Sequence, residues 1–143
     1  KSGPLVSPKT FERHVAAGYS KVRAKAEEHD IGLYAIDTDG DITHLCGHWL
    51  AAGVNVQFPL EIGTWNADPM VHRRRYGREL RIIGGIDKRV LARGRDAIDA
   101  EIDRRMPLIA DGGFLPMPDH FIPPDVPLDD YRYYLDRIRA IRV

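Results

Sequence analysis

The chain has 143 residues, of which 43% are hydrophobic and 29% charged, a balance typical of one folded domain rather than a disordered segment. Basic and acidic residues number 21 each, so no net field would attract nucleic acid or an anionic membrane. Cys46 is the only cysteine, which excludes an intrachain disulfide and indicates a reducing, cytoplasmic compartment. No signal peptide and no apolar run of about 20 residues is present.

Helical and strand patterns alternate along the chain. Ser7-Pro8 offers a capping hydroxyl and a proline at the first helical position, which predicts an amphipathic helix from there to about Glu28. Short apolar runs that end at polar or glycine-rich turns predict strands. The further predicted elements are a strand over 31–36, a helix over 42–52, a strand over 54–59, a helix over 69–76, a strand over 80–83, a helix over 95–110, a strand over 112–116 and a helix over 128–141.

Strands separated by helices at this spacing predict parallel βαβ units. A complete (β/α)₈ barrel needs roughly 250 residues, and four strands with a leading helix correspond to its second half. The predicted fold class is therefore α/β, the C-terminal half of a TIM barrel, with residues 1–143 as a single domain. A small doubly wound sheet is the structural alternative.

The first residue is Lys1 rather than methionine, so we expect further residues upstream, including the other half of the barrel. A half-barrel has two open edge strands and one uncovered apolar layer. We therefore expect it to associate with the missing N-terminal half or to form a homo-oligomer.

Ionisable side chains follow every predicted strand. They are Asp37, Asp39 and Asp41 after the first strand, Glu61 after the second, Asp87 after the third, and Asp119 and His120 after the fourth. The carboxyl ends of parallel strands open onto one face, where α/β proteins bind their ligands. Two carboxylates and an imidazole there could perform acid-base chemistry, bind a divalent metal or accept N–H donors.

We expect Asp37, Asp39 and His120 to be the catalytic residues, or the metal ligands under the alternative. Glu61, Asp87, Lys88 and Arg89 are the expected substrate-binding residues, since Lys88 and Arg89 supply positive charge at the same end of the sheet. A structural interpretation competes with this assignment. Aspartate after a strand is a favoured helix N-cap, and capping could be the whole role of Asp41, Asp68 and Asp87.

Several longer stretches of the sequence resemble the C-terminal half of the uroporphyrinogen decarboxylase superfamily, in the same order and over nearly the whole chain. They include Asp37-Thr38-Asp39-Gly40-Asp41, Gly84-Gly85-Ile86-Asp87-Lys88-Arg89, Gly112-Gly113-Phe114 and His120-Phe121-Ile122-Pro123-Pro124-Asp125. The resemblance implies a (β/α)₈ barrel.

The decarboxylase branch removes carboxyl groups from the acetate side chains of a tetrapyrrole and uses no cofactor. The resemblance therefore implies a cytoplasmic lyase of porphyrin biosynthesis with a tetrapyrrole-type substrate. His120, followed by Pro124-Asp125, resembles the histidine near the last strand of these enzymes. Asp119 and Phe121 stand where the decarboxylases usually have glycines, so this chain departs from their pattern.

A sibling branch contains zinc-dependent methyltransferases that act with corrinoid proteins. Its His-x-Cys pair and later cysteine correspond to Asp37, Asp39 and His120, so no thiolate is available here. Oxygen and nitrogen ligands at these positions would leave a site for a divalent metal such as zinc. A non-catalytic, tetrapyrrole-binding half-barrel is the third alternative.

Overall fold

The computed structural model describes residues 3–142. The helices are α1 (Pro8–His14), α2 (Ala16–Glu27), α3 (Cys46–Ala51), α4 (Pro69–Tyr76), α5 (Arg95–Asp111) and α6 (Leu128–Ala140). The strands are β1 (Ala35–Asp37), β2 (Val56–Leu60), β3 (Arg81–Ile86) and β4 (Phe114–Pro118). Short 3₁₀ turns occupy Gly77–Glu79 and Lys88–Arg93. Within 3–142, no helix is both long and apolar enough to cross a membrane.

The four strands form one sheet in the order β1-β2-β3-β4, and each neighbouring pair is parallel. At least one helix lies between each strand and the next along the chain. The predicted fold class is confirmed, because four parallel strands alternating with helices have the arrangement of half a (β/α)₈ barrel.

The two faces of the sheet have different surroundings. Ile36, Leu60 and Ile82 point to the helices and pack in a core with Phe11 and Trp49. A second core joins β3 to α5 and α6 around Ile86, Ile98, Ile102 and Tyr134.

The opposite face is open in this chain. Ala35, Ile83 and Leu115 alternate with the core residues, and Leu115 is 58% exposed. This face corresponds to the interior of a complete barrel. Its expected association with another half-barrel or a second copy stays a prediction.

The prediction of a single N-terminal helix is wrong, because two helices, α1 and α2, meet at Val15. The backbone of Val15 leaves the helical region at φ −120°, which ends α1 and starts α2. The break brings the rings of Phe11 and Tyr19 together edge to face, with centroids 5.5 Å apart. Residues eight apart in a continuous helix would be separated by about 12 Å along its axis, so this contact favours the break.

The first strand begins later than predicted, at Ala35 rather than near Ile31. In the residues just before Ala35, the backbone is bound by the side chain of Asn55 rather than by a regular ladder of strand hydrogen bonds. Asn55 accepts a hydrogen bond from the N–H of Tyr34 and donates to the carbonyl of Gly32. These bonds hold the segment beside β2 without regular strand pairing.

The other boundaries moved for local reasons. β4 begins at Phe114 rather than Gly112, because Gly112 ends α5, with its N–H donating to the carbonyl of Ile109 and its φ at 82°. The predicted helix over 42–52 is shorter, since residues 43–45 form a turn before α3. By contrast, β3 continues past its predicted end at Ile83 to Ile86. The predictions for α4, α5 and α6 are confirmed to within one residue.

Candidate functional site

The loops after the four strands meet at one end of the sheet, as expected for parallel strands. Asp39 lies in the loop after β1 and His120 in the loop after β4, at opposite edges of the sheet. The Nε2 atom of His120 nevertheless lies 3.8 Å from Oδ1 of Asp39. The His120 side chain is 34% exposed and that of Asp39 is 68% exposed, so a ligand can reach both. The structure therefore brings together two of the three predicted catalytic residues.

The imidazole of His120 is also bound by the next residue in the chain. The backbone N–H of Phe121 donates to Nδ1 of His120, with an N–N distance of 2.8 Å. The two rings meet edge to face with centroids 5.1 Å apart. Phe121 is 85% exposed, so its ring covers the imidazole without being part of the core.

Asp37, the third predicted catalytic residue, is the last residue of β1 and is exposed. It lies beside Phe58 of β2 in the strand register. Alternation along β1 places Asp37 on the open face with Ala35, and Ile36 on the core side. Asp37 is therefore available to a ligand from the open side of the sheet.

Glu61, which follows β2, fixes the loop after β1. It accepts hydrogen bonds from the N–H of Gly40 at 2.8 Å and from the indole of Trp65 at 3.2 Å. Partial burial acts to raise the pKa of Glu61. Hydrogen bonds from Thr64, Gly40 and Trp65 together outweigh this effect and hold the pKa of Glu61 below its usual value. Glu61 is thus a charged group that orders the site from within.

A cleft of about 800 Å³ opens beside these residues, between the loop after β1 and helices α1 to α3. Its carboxylates are Asp37, Asp39, Asp41 and Glu61. Its aromatic side chains are Phe11, Tyr19, Trp49 and Trp65. Among residues 3–142, no lysine, arginine or histidine lines the cleft. The cleft is therefore acidic with aromatic walls, and it favours groups that donate hydrogen bonds or carry positive charge.

Asp119, the residue before His120, binds the loops after two other strands. It was not among the predicted site residues. Its side chain is fully buried. One carboxylate oxygen accepts the N–H groups of Ile62 and Gly63 at 2.9 and 2.7 Å, and the other accepts the N–H of Lys88 at 3.1 Å. Asp119 therefore joins the loops after β2 and β3 to the end of β4.

The sequence offered one signal for Asp119, a carboxylate directly after an apolar strand, which is the signal that selected Asp37. Its partners Ile62 and Gly63 lie 57 and 56 residues away in the sequence. A local sequence pattern cannot reveal contacts between residues so far apart. The burial of Asp119 was therefore not predictable from the sequence.

The predicted substrate-binding residues after β3 are engaged within the protein. Asp87 caps the 3₁₀ turn by accepting the N–H of Arg89, and its carboxylate also binds the Arg89 guanidinium in a two-point ion pair. Burial acts to raise the pKa of Asp87, but the bonds and charge of Arg89 hold it below its usual value. The ammonium of Lys88 lies 3.6 Å from Asp119, and its side chain is 17% exposed. Lys88 is therefore largely covered, whereas Arg89 is paired with Asp87 but 52% exposed.

The capping alternative is observed at two further aspartates. Asp68 caps α4 by accepting the N–H of Met70, and Asp41 accepts the N–H of Thr43.

A buried ion pair on α5 contacts the start of the loop after β3. Glu101 and Arg105 are buried, and Arg105 Nη2 lies 2.9 Å from Glu101 Oε1. The same carboxylate accepts the N–H of Asp87, and Arg105 also faces Asp68 at the start of α4. Sequence reasoning missed this pair, because both residues resemble an ordinary solvated i, i+4 pair on a helix.

The structure does not assemble the predicted three-ligand metal site. Asp37 lies on the open face, while Asp39 meets His120 at the loop. In the part of the chain that the structure describes, no group of three or more His, Cys, Asp or Glu side chains is arranged to hold a metal ion. Zinc or another divalent ion therefore stays a prediction of the sequence alone.

The fold and the site define the class of protein: a parallel α/β half-barrel with an acidic, ligand-accessible site at the carboxyl ends of its strands. The sequence of residues 1–141 matches the family described as Uroporphyrinogen decarboxylase (URO-D), and the chain belongs to that family. A search of curated protein sequences gives no match.

Proposed function

We propose that this chain provides part of the active site of a carboxy-lyase of the uroporphyrinogen decarboxylase type, acting on a carboxylated, tetrapyrrole-type substrate. Membership of the family supports the reaction class. The observation that carries the proposal is the meeting of Asp39 and His120, both accessible, across the carboxyl ends of the strands.

The acidic cleft suits the chemistry of such a reaction. Decarboxylation without a cofactor needs an electron sink, which a pyrrole becomes when it is protonated at a ring carbon. The electron pair of the breaking bond then moves into the cationic ring, and carbon dioxide leaves. A second proton then adds to the side-chain carbon and converts it to a methyl group. The ring carbon finally loses the proton that it gained first. The net change is that one proton replaces one carbon dioxide. Carboxylates beside the ring stabilise its transient positive charge.

Asp39 and Asp37 are the residues of this chain that would provide that stabilisation, since both are exposed, Asp39 beside His120 and Asp37 on the open face of the sheet. Asp39 would also accept the pyrrole N–H, for which a carboxylate is a strong acceptor. The substrate's own carboxylates require cations. Because Lys88 and Arg89 are engaged with Asp119 and Asp87, the proposal needs cationic groups from outside these residues.

The test is incubation of the protein with uroporphyrinogen, followed by mass spectrometry of the oxidised products. We expect products with fewer carboxyl groups, and a roughly hundredfold lower rate for Asp39→Asn because one charged group of the transition-state environment is lost. Asp136→Asn on the exposed surface of α6 is the matched control and should keep the wild-type rate.

Two outcomes would favour the other functions. Quenching of tryptophan fluorescence by uroporphyrin without any turnover would indicate a tetrapyrrole-binding module, because Trp49 and Trp65 both line the cleft. A stoichiometric divalent metal in the purified protein, lost in Asp39→Ala and in His120→Ala, would favour the metal-dependent, corrinoid-linked methyltransferase.

A further inference from the structure

The hydrogen bond on His120 determines which ring nitrogen carries the proton. A backbone N–H can only donate, so Nδ1 of His120 must accept from Phe121 with its lone pair. The neutral imidazole then has its hydrogen on Nε2. That nitrogen is the one that lies 3.8 Å from Asp39.

The loop that holds His120 is fixed from the other side as well. The N–H of Asp119 donates to the carbonyl of Ile86 at 2.8 Å, and its buried carboxylate accepts three backbone N–H groups. His120 is therefore held between an anchored residue before it and a donating backbone group after it. Rotation of the ring would break the bond from Phe121.

We infer that the backbone N–H of Phe121 holds His120 as the Nε2–H tautomer facing Asp39, so that the site presents a hydrogen-bond donor beside an acceptor. The substrate class in this inference rests on the proposed function. His120 acts here as a hydrogen-bond donor that positions a ligand oxygen.

The spacing selects the chemistry of the ligand. The 3.8 Å between Nε2 and Oδ1 exceeds a direct hydrogen bond, so both groups have bonding capacity left for a ligand. The complementary group has an N–H next to a carbonyl or carboxylate oxygen. A pyrrole ring that has a carbonyl or carboxylate group on one of its substituents offers both groups.

The tautomer is measured by nitrogen NMR of the histidine side chains in the ligand-free protein, which involves no turnover. We expect His120 to show an unprotonated Nδ1 and a protonated Nε2. Phe121→Ala removes the ring and keeps the N–H, so this tautomer should persist. Phe121→Pro removes the N–H as well, so the two tautomers should mix.

A protonated Nδ1 in the wild-type protein would overturn the inference, whether or not the variants fold. The same signal in the Ala and Pro variants, with the Trp65 indole resonance unchanged in both, would also overturn it. Neither result depends on decarboxylation, so failure of this inference and failure of the proposed function are distinguishable.

The ligand class is tested with two neutral compounds that differ in one atom group, methyl pyrrole-2-carboxylate and methyl furan-2-carboxylate. Both probes are methyl esters, since the amide of a carboxamide would itself donate N–H groups. Binding is followed by chemical-shift changes at His120. We expect the pyrrole ester to bind roughly tenfold more tightly, because only it donates an N–H to Asp39. Asp39→Asn should reduce this preference. Equal affinities, or no binding of either compound at His120, would contradict the assigned ligand pattern.

Discussion

The strand ends contain two groups of charged side chains that look alike in the sequence and differ in the structure. The locked group is Asp87 and Asp119, both buried and bound to backbone N–H groups or arginine. The open group is Asp37, Asp39 and His120, all accessible at the other side of the strand ends. A carboxylate after a strand therefore has one of two roles. It is buried and structural where neighbouring loops supply N–H groups or an arginine to bind it, and it is available to a ligand where they do not.

The largest effect is expected for Asp119→Ala in the locked group. The change leaves three buried N–H groups without an acceptor and the Lys88 ammonium without its buried partner. We expect the free energy of unfolding to fall by about 4 kcal/mol, measured by urea denaturation. Asp136→Ala should have almost no effect. A loss below about 1 kcal/mol for Asp119→Ala would mean that this carboxylate is not a structural centre.

Glu101→Leu is the next largest change, because it leaves the guanidinium of Arg105 buried without its main partner. We expect a loss of about 3 kcal/mol in the same denaturation experiment. The double variant Glu101→Leu with Arg105→Leu removes both charges and should recover part of the loss. A double variant as unstable as the sum of the single changes would show that the ion pair is not the cause.

A smaller effect concerns His72, which is buried on α4. Burial, assisted by the charge of Arg75, lowers the pKa of His72 below its usual 6.5. The unfolded chain therefore takes up this proton first, and stability is lost as the pH falls from about 6.5 toward the folded pKa. His72→Gln should reduce the loss of unfolding free energy between pH 7.5 and 5.5, while His29→Gln at an exposed position should not. An unchanged pH dependence in His72→Gln would contradict this.

The smallest effect on stability is expected in the open group. Asp39→Asn removes an exposed charge with one long contact to His120, so the free energy of unfolding should change by about 0.5 kcal/mol or less. Ligand binding should be weakened in the same variant. If denaturation showed a loss comparable to that of Asp119→Ala, Asp39 would belong with the locked group.

Sequence patterns were sufficient for the architecture, because apolar runs and caps such as Asp68 act locally. They also located the strand ends and selected Asp37, Asp39 and His120 as candidates, of which the structure brings Asp39 and His120 together. They did not separate these residues from Asp87 and Lys88, whose partners are set by packing. Asp119 was located at the end of the fourth strand but not predicted to be buried, and Glu101 was missed. The reason is the same, since burial of a charged residue depends on contacts with segments that are distant in the sequence.

The division into locked and open groups is tested most directly by hydrogen exchange of the amides that Asp119 binds. We expect the N–H groups of Ile62, Gly63 and Lys88 to be protected in the wild-type protein and in Asp39→Asn, and to lose that protection in Asp119→Ala, which removes both acceptor oxygens. Rapid exchange of these amides in the wild-type protein, or the same loss in Asp39→Asn, would contradict the division.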